Sequence, residues 1–398
     1  MQTRHNKNIY LVAPSRTPIG KFGGALSVFT APELGAFAAK ETIQRSGIDP
    51  AELDEAIFGN ARQAGVRPNP ARQVAFNAGC PETVPAYTVN KACASGMKAI
   101  INAYQAIALG DADLILAGGT ESMSNTPYLI PRARWGVKFG HDELVDGMYR
   151  DGFLCPLCGE LMGKTAENLA DKYGVTRQES DEFALRSQQK AATAQKQARF
   201  LDEVVPIEIK DRKGQTTVMS SDEHPRSQTT LEGLAKLKPV FKENGTVHAG
   251  NASGITDGAA AVLVVSEQRL RDLNLEPIVK IVDYTVAGVD PSIMGIGPVP
   301  AVRSLLKRNH FSLNDIDLIE LNEAFAVQVL ACQRELNFKQ SVVNVNGGSI
   351  ALGHPIGCTG ARIIVTLTHE MKKRDATLGL ATLCVSGGMG MTVLLERA

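Results

Sequence analysis

Two cysteines occupy positions from which a thiol could attack or deprotonate a substrate. Cys93, in the segment VNKACASGMK, lies between a predicted strand and an apolar helix. The unpaired N–H groups and positive dipole end of that helix would favour a nucleophilic thiolate, although a structural buried cysteine fits the same pattern. Cys384, in LCVSGGMGM, ends a predicted strand just before two glycines. Active sites of parallel sheets collect at strand ends, so Cys384 is a second candidate.

A histidine and an asparagine extend this set. His354 lies in NGGSIALGHPIGCTGAR, a glycine-dense segment without an amphipathic face. We therefore expect a functional base rather than a core side chain. Asn322 breaks an apolar strand end in ELNEAFA, where its amide could be satisfied structurally or could hold a catalytic water. Together, one thiolate could carry an acyl group, a second could take a proton from carbon, and the histidine could help to hold oxyanions.

The elements that must position these residues occur twice along the chain. The first half has a helix and a strand within 34–60 and a further helix that opens at Gly96, and the second half repeats this with 301–323 and Gly360. Register that is kept through helices, strands and loops indicates a duplication. Each half alternates strands and helices, which predicts a mostly parallel sheet. The Met97–Leu109 helix is apolar nearly all round, which predicts a helix layer between two sheets.

The change in composition along the chain predicts four segments. The region from about 122 to 250 is more polar and less periodic than its flanks, and the apolar composition typical of buried segments resumes after it. We assign the N-terminal half to 1–121, an inserted loop domain to 122–249, the completion of the N-terminal half to 250–275, and the C-terminal half to 276–398.

The overall composition excludes several classes of partner. Lys plus Arg number 42 and Asp plus Glu number 42, so the zero net charge provides no bulk field for nucleic acid or an acidic membrane. No run approaches the ~18 apolar residues of a membrane span, and the N-terminal sequence shows no signal-peptide core. Seven cysteines, an odd number spread along the chain, argue against a disulfide scaffold. We expect a cytoplasmic protein without nucleic-acid or membrane partners.

Five segments together resemble the thiolase family: VNKACASGMKA, GNASGITDGAAA, LNEAFA, NVNGGSIALGHPIGCTGAR and CVSGGMG. The resemblance implies an α/β thiolase fold, a duplicated five-layer αβαβα arrangement whose inserted loop domain serves CoA binding and oligomer contacts. It implies an acyltransferase that condenses two acetyl-CoA reversibly to acetoacetyl-CoA and CoA in ping-pong order. Acyl-CoA molecules would be its substrates, with no metal or cofactor besides CoA itself. Thiolases assemble as homodimers or as homotetramers that are dimers of dimers.

The same resemblance implies a role for individual residues. Cys93 matches the acylated nucleophile, His354 the residue that activates it, and Cys384 the acid/base that exchanges the α-proton. Asn322 matches the residue that holds an oxyanion-hole water, and the oxyanion holes would also use Cys93, His354 and Ser386. Positions implied to contact CoA or the acyl chain are Arg226, Ser253, Ala249, Gly250, Leu237, Phe241, Met162, Met294 and Phe325.

The sequence also departs from the family pattern. Ser386 stands where the family usually has glycine, and a serine there would be strained if its φ were positive. Leu161-Met162 stands where acetoacetyl-CoA thiolases often have His-Met. This leaves open a degradative 3-ketoacyl-CoA thiolase that cleaves longer substrates in fatty-acid β-oxidation.

Other interpretations differ in class. A carrier-protein condensing enzyme would have a His pair or a His–Asn pair in place of Cys384, and a non-catalytic acyl-CoA-binding relative would lack a catalytic residue. The pair Cys155-Pro-Leu-Cys158 could be a redox motif, a zinc half-site or two loop thiols. Without a second pair, two loop thiols are favoured.

Overall fold

A computed structural model describes residues 7–210 and 213–398. Its strands are β1 Ile9–Arg16, β2 Gly20–Lys21, β3 Glu55–Gly59, β4 Ala86–Val89, β5 Leu114–Ser122, β6 Tyr128–Leu129, β7 Val145–Asp146, β8 Ile207–Lys210, β9 Thr216–Met219, β10 Thr256–Ser266, β11 Val279–Gly288, β12 Leu318–Leu321, β13 Leu378–Val385 and β14 Met389–Arg397. Its α-helices are α1 Ala31–Ser46, α2 Pro70–Asn77, α3 Ser95–Leu109, α4 Met162–Tyr173, α5 Arg177–Lys196, α6 Leu231–Ala235, α7 Glu267–Asp272, α8 Pro298–Arg308, α9 Ala326–Leu336, α10 Ser349–Leu352 and α11 Ile356–Arg374.

Apart from β4 at one edge, the strand order of the main sheet is the same from both ends. In the described ranges it runs β4-β3-β5-β10-β1-β11-β14-β13-β12, with β2 paired to β10. Strands β3, β5, β10 and β1 on one side therefore correspond to β12, β13, β14 and β11 on the other. The two sides meet where Tyr10 pairs with Lys280 and Leu11 with Val279. This symmetry is the structural counterpart of the repeat in the sequence.

The prediction of mostly parallel sheets is wrong, because both sides are mixed. Strand β3 is parallel to β4 and β5, and β12 is parallel to β13, whereas β10, β1, β11 and β14 pair antiparallel to their neighbours. The cause is visible in the C-terminal half, where the three residues 386–388 join β13 to β14. So short a connection can join only antiparallel strands.

Five layers follow from how the helices pack. Helices α3 and α11 lie side by side between the two sides of the sheet, and one apolar cluster joins both helices to both sides. Helices α1 and α2 cover the outer face of the N-terminal side, and α8 and α9 cover that of the C-terminal side. The predicted central helix layer is thus confirmed for α3, and α11 shares it, with every residue of 356–371 buried.

The central helices touch backbone to backbone near their first turns. A Cβ added at Gly96 would lie 2.8 Å from the Ala361 backbone nitrogen, and one added at Gly360 would lie 2.5 Å from that of Met97. No side chain fits at such separations, so glycine is required at both positions. The contact brings the segments that precede the two helices together, and these segments contain Cys93 and His354.

The segment between β5 and β10 lies beside the five-layer arrangement of sheets and helices. It contains α4, which packs against α9, and α5, which packs against α6, α9 and α10. Strand β10 then returns to the sheet between β1 and β5. In the described parts of the chain, no helix is both long and apolar enough to cross a membrane.

Candidate active site

Cys93 sits on a turn that is held by its neighbours. The turn joins β4 to α3, and Ala92 within it has φ +46°, a left-handed conformation that costs a non-glycine residue roughly 1–2 kcal/mol. Ser95 offsets this cost, because its backbone N–H and hydroxyl both donate to the Ala92 carbonyl, at 3.0 and 2.7 Å. Its hydroxyl also accepts from the Lys91 N–H at 2.9 Å. These bonds fix the direction in which the Cys93 thiol points.

The Cys93 thiol is less acidic than the sequence predicts. Burial raises the pKa of Cys93 above its ordinary value, and hydrogen bonds from the Ser386 and Cys93 N–H groups and the charge of Arg62 offset this only in part. The helix N-terminus favours the thiolate, as predicted, but does not by itself lower the pKa of Cys93 below its ordinary value. Desolvation outweighs the helix end, so Cys93 needs a base to become nucleophilic.

Cys384 is the penultimate residue of β13, and the turn that follows this strand reaches Cys93. It is 1% exposed and belongs to an apolar cluster with Met162, Met294 and Ala324. Burial raises the pKa of Cys384 well above its usual value, and the nearby Cys93 raises it further. Both thiols are thus protonated at rest, and each influences the ionisation of the other.

The turn after Cys384 accommodates serine without strain. The positive φ angles of this turn fall on Gly387 (+85°) and Gly388 (+82°), and Ser386 lies outside the left-handed region. The Ser386 N–H is directed at the Cys93 sulfur. The replacement of the usual glycine by serine therefore preserves the backbone donor that an oxyanion hole would use.

His354 is fixed in one tautomer by a threonine. The Thr359 hydroxyl donates its only proton to the Pro355 carbonyl at 2.9 Å, so it must accept from His354 Nδ1 at 2.6 Å. Nδ1 therefore carries the imidazole proton and Nε2 keeps a free lone pair. Burial, together with the charges of Arg362 and Arg62, lowers the pKa of His354 to about 3. The imidazole is therefore neutral at rest, and the free lone pair on Nε2 is the one available to take a proton.

Packing connects His354 with Cys93. The backbone N–H of His354 donates to the Gly254 carbonyl at 3.1 Å. Ile255, which follows Gly254, and Ile356, two residues after the histidine, both belong to the cluster that contacts Cys93. The histidine loop and the Cys93 turn therefore share one packed environment.

Asn322 has a donor with no protein partner. It follows β12, and its backbone N–H donates to the Thr382 carbonyl on the neighbouring strand β13 at 3.0 Å. Its Oδ1 accepts from the Ser349 hydroxyl at 2.6 Å, whereas its buried Nδ2 donates to nothing in the structure. A buried amide of this kind is completed by a water or by substrate. Of the two interpretations left open by the sequence, this geometry favours the one with a bound water.

We predict that Asn322→Ala lowers the turnover of condensation and thiolysis about 100-fold, the usual loss when one oxyanion donor is removed. Acylation of the protein by acetyl-CoA should keep its rate, because the amide lies beside the strand of Cys384 rather than on the Cys93 turn. Steady-state kinetics and the rate of acyl-enzyme formation measure the two effects. Asn309→Ala is the control, since that amide binds Asp283 and Leu305 in the outer layer. Equal losses in the two rates would contradict this assignment.

A cavity of about 550 Å³ shares wall residues with the apolar clusters around both thiols. Phe153 and Ile255 line it and belong to the cluster around Cys93, and Met162 and Phe325 line it and pack around Cys384. Six of the positions implied for CoA or acyl contacts face this space: Arg226, Ser253, Ala249, Phe241, Met162 and Phe325.

Three implied contact positions do not line the cavity. A Cβ at Gly250 would meet Leu234 at 2.6 Å and Leu237 at 2.7 Å, so Gly250 and Leu237 pack against each other. Met294 is 3% exposed and packs with Cys384 and Met162. The wall also contains residues that the sequence did not single out, among them His224, Phe22 and Tyr149.

Glu121 is a buried acid that sequence reasoning missed. Its carboxylate accepts from Asn60 Nδ2 at 2.8 Å, from the backbone N–H groups of Ala61 and Arg62, and from that of Gly357 at 2.9 Å. It thereby ties the loop after β3 to the first turn of α11, beside His354. The signal was present as an acidic residue at the end of the apolar strand β5.

Comparisons with known proteins agree with this architecture. The thiolase N-terminal domain matches residues 9–268 and the thiolase C-terminal domain matches residues 275–397. An acetyl-CoA acetyltransferase of Pseudomonas aeruginosa is 52% identical over 391 residues, which cover 98% of this chain and 100% of that protein.

Solved structures show the same fold. The crystal structure of the Bacillus anthracis acetyl-CoA acetyltransferase has a TM-score of 0.96 at 46% identity and covers 100% of both chains. That of human mitochondrial 3-ketoacyl-CoA thiolase has a TM-score of 0.96 at 45% identity and covers 98% of this chain and 99% of that one. The predicted duplicated fold is confirmed, and the chain belongs to the thiolase family.

Proposed function

We propose that the protein catalyses the reversible Claisen condensation of two acetyl-CoA to acetoacetyl-CoA and CoA, through an acyl group on Cys93. One observation carries the proposal: strand β13, which contains Cys384, leads into a turn whose Ser386 N–H is directed at the Cys93 sulfur. Two neighbouring thiols on separate segments can divide the work between acyl transfer and proton transfer at carbon. The name of the P. aeruginosa relative supports the same activity.

The first half-reaction loads Cys93. As the thioester carbonyl arrives, Nε2 of His354 takes the thiol proton and the Cys93 sulfur attacks the carbonyl carbon. The N–H groups of Cys93 and Ser386 surround that sulfur and can stabilise the oxyanion. The Cys384 thiol gives its proton to the departing CoA sulfur. The histidine is then protonated and Cys384 is a thiolate.

The second half-reaction uses both of these charges. The Cys384 thiolate takes the α-proton of the second acetyl-CoA, and the enolate oxygen is stabilised by protonated His354 and by a water on Asn322 Nδ2. The enolate carbon attacks the acyl group and releases Cys93, which regains its proton from His354. All three groups return to their neutral resting state, in agreement with the directions of their pKa shifts.

Cleavage of longer 3-oxoacyl-CoA is the second candidate. Leu161 and Met162 line the cavity together with Phe153, Phe241 and Phe325. This wall is more apolar than one with histidine at position 161. The similarity to human 3-ketoacyl-CoA thiolase is also nearly as high as that to the B. anthracis acetyltransferase.

A chain-length series decides between the candidates. We expect kcat/KM for thiolysis to be highest for the four-carbon acetoacetyl-CoA and to fall as the 3-oxoacyl chain grows to sixteen carbons. If the cavity admits longer chains, each buried methylene adds about 0.8 kcal/mol, so kcat/KM would instead rise about fourfold per carbon. Tight CoA binding without turnover at any length would identify a non-catalytic relative.

Assembly and compartment belong to the same proposal. We expect a homodimer or a dimer of dimers, because Trp135 is 81% exposed and the nearby Phe139 is fully exposed, which favours their burial against another copy. The cysteines are free thiols, which favours a reducing compartment such as the cytoplasm. CoA enters as substrate and product, and every step is assigned to the chain's own residues.

A further inference from the structure

The Cys155-Pro-Leu-Cys158 loop is a tight turn beside the cavity. An isolated bridge between Leu154 and Leu161 closes it. Inside, the Cys155 N–H donates to the Glu160 carbonyl at 2.8 Å and the Gly159 N–H donates to the Cys155 carbonyl at 2.9 Å. Cys158 packs against the apolar cluster that contains Cys155, and its thiol is close enough to lower the pKa of Cys155. Cys155 is 2% exposed, whereas Cys158 is partly accessible.

This loop contacts the turn that follows Cys384. The Gly387 N–H is directed at the Cys155 sulfur and helps to lower the pKa of that thiol. A Cβ at Gly387 would lie 3.7 Å from Leu157 Cδ1, so the loop packs directly over that glycine. Cys155 and Cys384 also belong to one apolar cluster. Two consecutive N–H groups of one turn therefore point at two different thiols. The Ser386 N–H points at the Cys93 thiol, and the Gly387 N–H points at the Cys155 thiol.

The pKa values of the two thiols shift in opposite directions. Burial opposes ionisation of Cys155, but N–H groups of Cys158, Leu157 and Gly387 and the Cys158 thiol together lower its pKa. Burial and the neighbouring Cys155 raise the pKa of Cys158. A thiol that ionises more readily than usual, next to an accessible thiol, favours formation of a disulfide.

We propose that Cys155 and Cys158 form a redox-active dithiol, which low-molecular-weight disulfides oxidise to an intramolecular disulfide, and that its reduced form supports the catalytic turn. In the ranges 7–210 and 213–398 no three His, Cys, Asp or Glu side chains gather as a metal site. The proposal differs from the expectation of two loop thiols in giving the pair a shared redox function.

The exchange proceeds in two steps with a disulfide RSSR as oxidant. The accessible Cys158 sulfur attacks RSSR, passes its proton to Cys155, and forms a mixed disulfide while RS⁻ leaves. Cys155 then loses that proton to RS⁻ and attacks the Cys158 sulfur, which expels the second RS⁻ to be protonated by solvent. Counted from the form in which Cys155 is ionised, the protein loses two electrons and one proton, solvent supplies the second proton, and RSSR becomes two RSH.

Oxidation would change the contact with Gly387. An S–S bond is about 2.0 Å long, shorter than any hydrogen-bonded pair of sulfurs, so Cys155 must move toward Cys158. A neutral disulfide sulfur is also a poorer acceptor than a thiolate. The Gly387 N–H would lose its partner, and the turn that positions Ser386 would loosen. We expect thiolysis to fall about tenfold, less than the loss of a whole oxyanion donor.

The test incubates the purified full chain in mixtures of reduced and oxidised glutathione of graded ratio. Free thiols are then alkylated under denaturing conditions, and peptide mass spectrometry locates disulfides. Thiolysis of acetoacetyl-CoA is measured on the same samples, before and after dithiothreitol. Cys158→Ala removes one partner and leaves the Cys155 sulfur beside Gly387. Cys80→Ala is the matched control, a buried free thiol in the outer layer of the N-terminal side.

The proposal is supported if a Cys155–Cys158 disulfide forms while Cys93 is still an unmodified thiol. Wild type and Cys80→Ala should then lose turnover tenfold and reversibly, whereas Cys158→Ala should not. Two free thiols at every ratio, or equal inactivation of Cys158→Ala, would overturn the proposal. A disulfide with unchanged turnover would overturn the link to the catalytic turn. Only the turnover readout rests on the proposed function. A wild type that forms the disulfide but has no thiolysis would count against that function alone.

Discussion

Cys93→Ala is expected to lower thiolysis and condensation by at least about 10⁴-fold, since loss of a covalent nucleophile removes both half-reactions. The residual rate would come from binding and the remaining donors alone. Intact-protein mass spectrometry after incubation with acetyl-CoA should show one acetyl adduct on the wild type and none on Cys93→Ala. Binding of CoA should persist in the variant, because the cavity wall is formed by other residues.

The control for this change is Cys80→Ala, which removes a buried thiol from the outer layer. It should retain both the adduct and full turnover. An acetyl adduct on Cys93→Ala, or turnover within tenfold of wild type, would contradict the assignment of Cys93. Thermal melting of all three proteins separates these effects from loss of the fold.

Cys384→Ala is expected to retain the first half-reaction, acylation of Cys93, and to lose the second, in which the α-proton is removed. Thiolysis and condensation should fall about 10⁴-fold, at the upper end of what general acid–base catalysis contributes. The acetyl adduct on Cys93 should still form, more slowly, because the departing CoA sulfur loses its proton donor. Acetyl-CoA deuterated at the methyl carbon should exchange deuterium with solvent on the wild type and not on the variant.

Cys332→Ala is the matched control for Cys384, as another fully buried thiol of the C-terminal half that packs in its outer layer. It should exchange deuterium as the wild type does. If Cys384→Ala kept deuterium exchange, another group would be the α-proton base. If it formed no acetyl adduct at all, Cys384 would be needed for the first half-reaction as well.

The elements and the set of candidate residues could be predicted because their signals are local. The Met97–Leu109 helix is apolar on all sides, and the observed helix Ser95–Leu109 is the buried one. Cys93, His354, Asn322 and Cys384 each interrupt an apolar or glycine-rich segment next to an element boundary. Such interruptions are visible in a single sequence, and all four side chains lie at the ends of elements that the fold brings together.

The direction of the strands and the protonation of Cys93 could not be predicted in the same way. Alternation of strands and helices does not reveal that residues 386–388 reverse the chain. Nor does the position of Cys93 before α3 reveal how much of the thiol is desolvated by α11 and the Ser386 turn, which are more than 250 residues away. Both properties depend on contacts between distant segments. The same is true of Gly250 and Leu237, which pack against each other rather than on the cavity.

The glycine contact between α3 and α11 has a consequence for how activity data should be interpreted. Each half supplies part of the chemistry, and Gly96 and Gly360 are the points where the two parts dock. A substitution there would leave every catalytic group in the chain and yet reduce the fraction of molecules in which the groups meet. Such a variant would show a lower titre of acylatable Cys93 with an unchanged rate for each competent molecule. Active-site titration of this protein is therefore also a measure of its internal assembly.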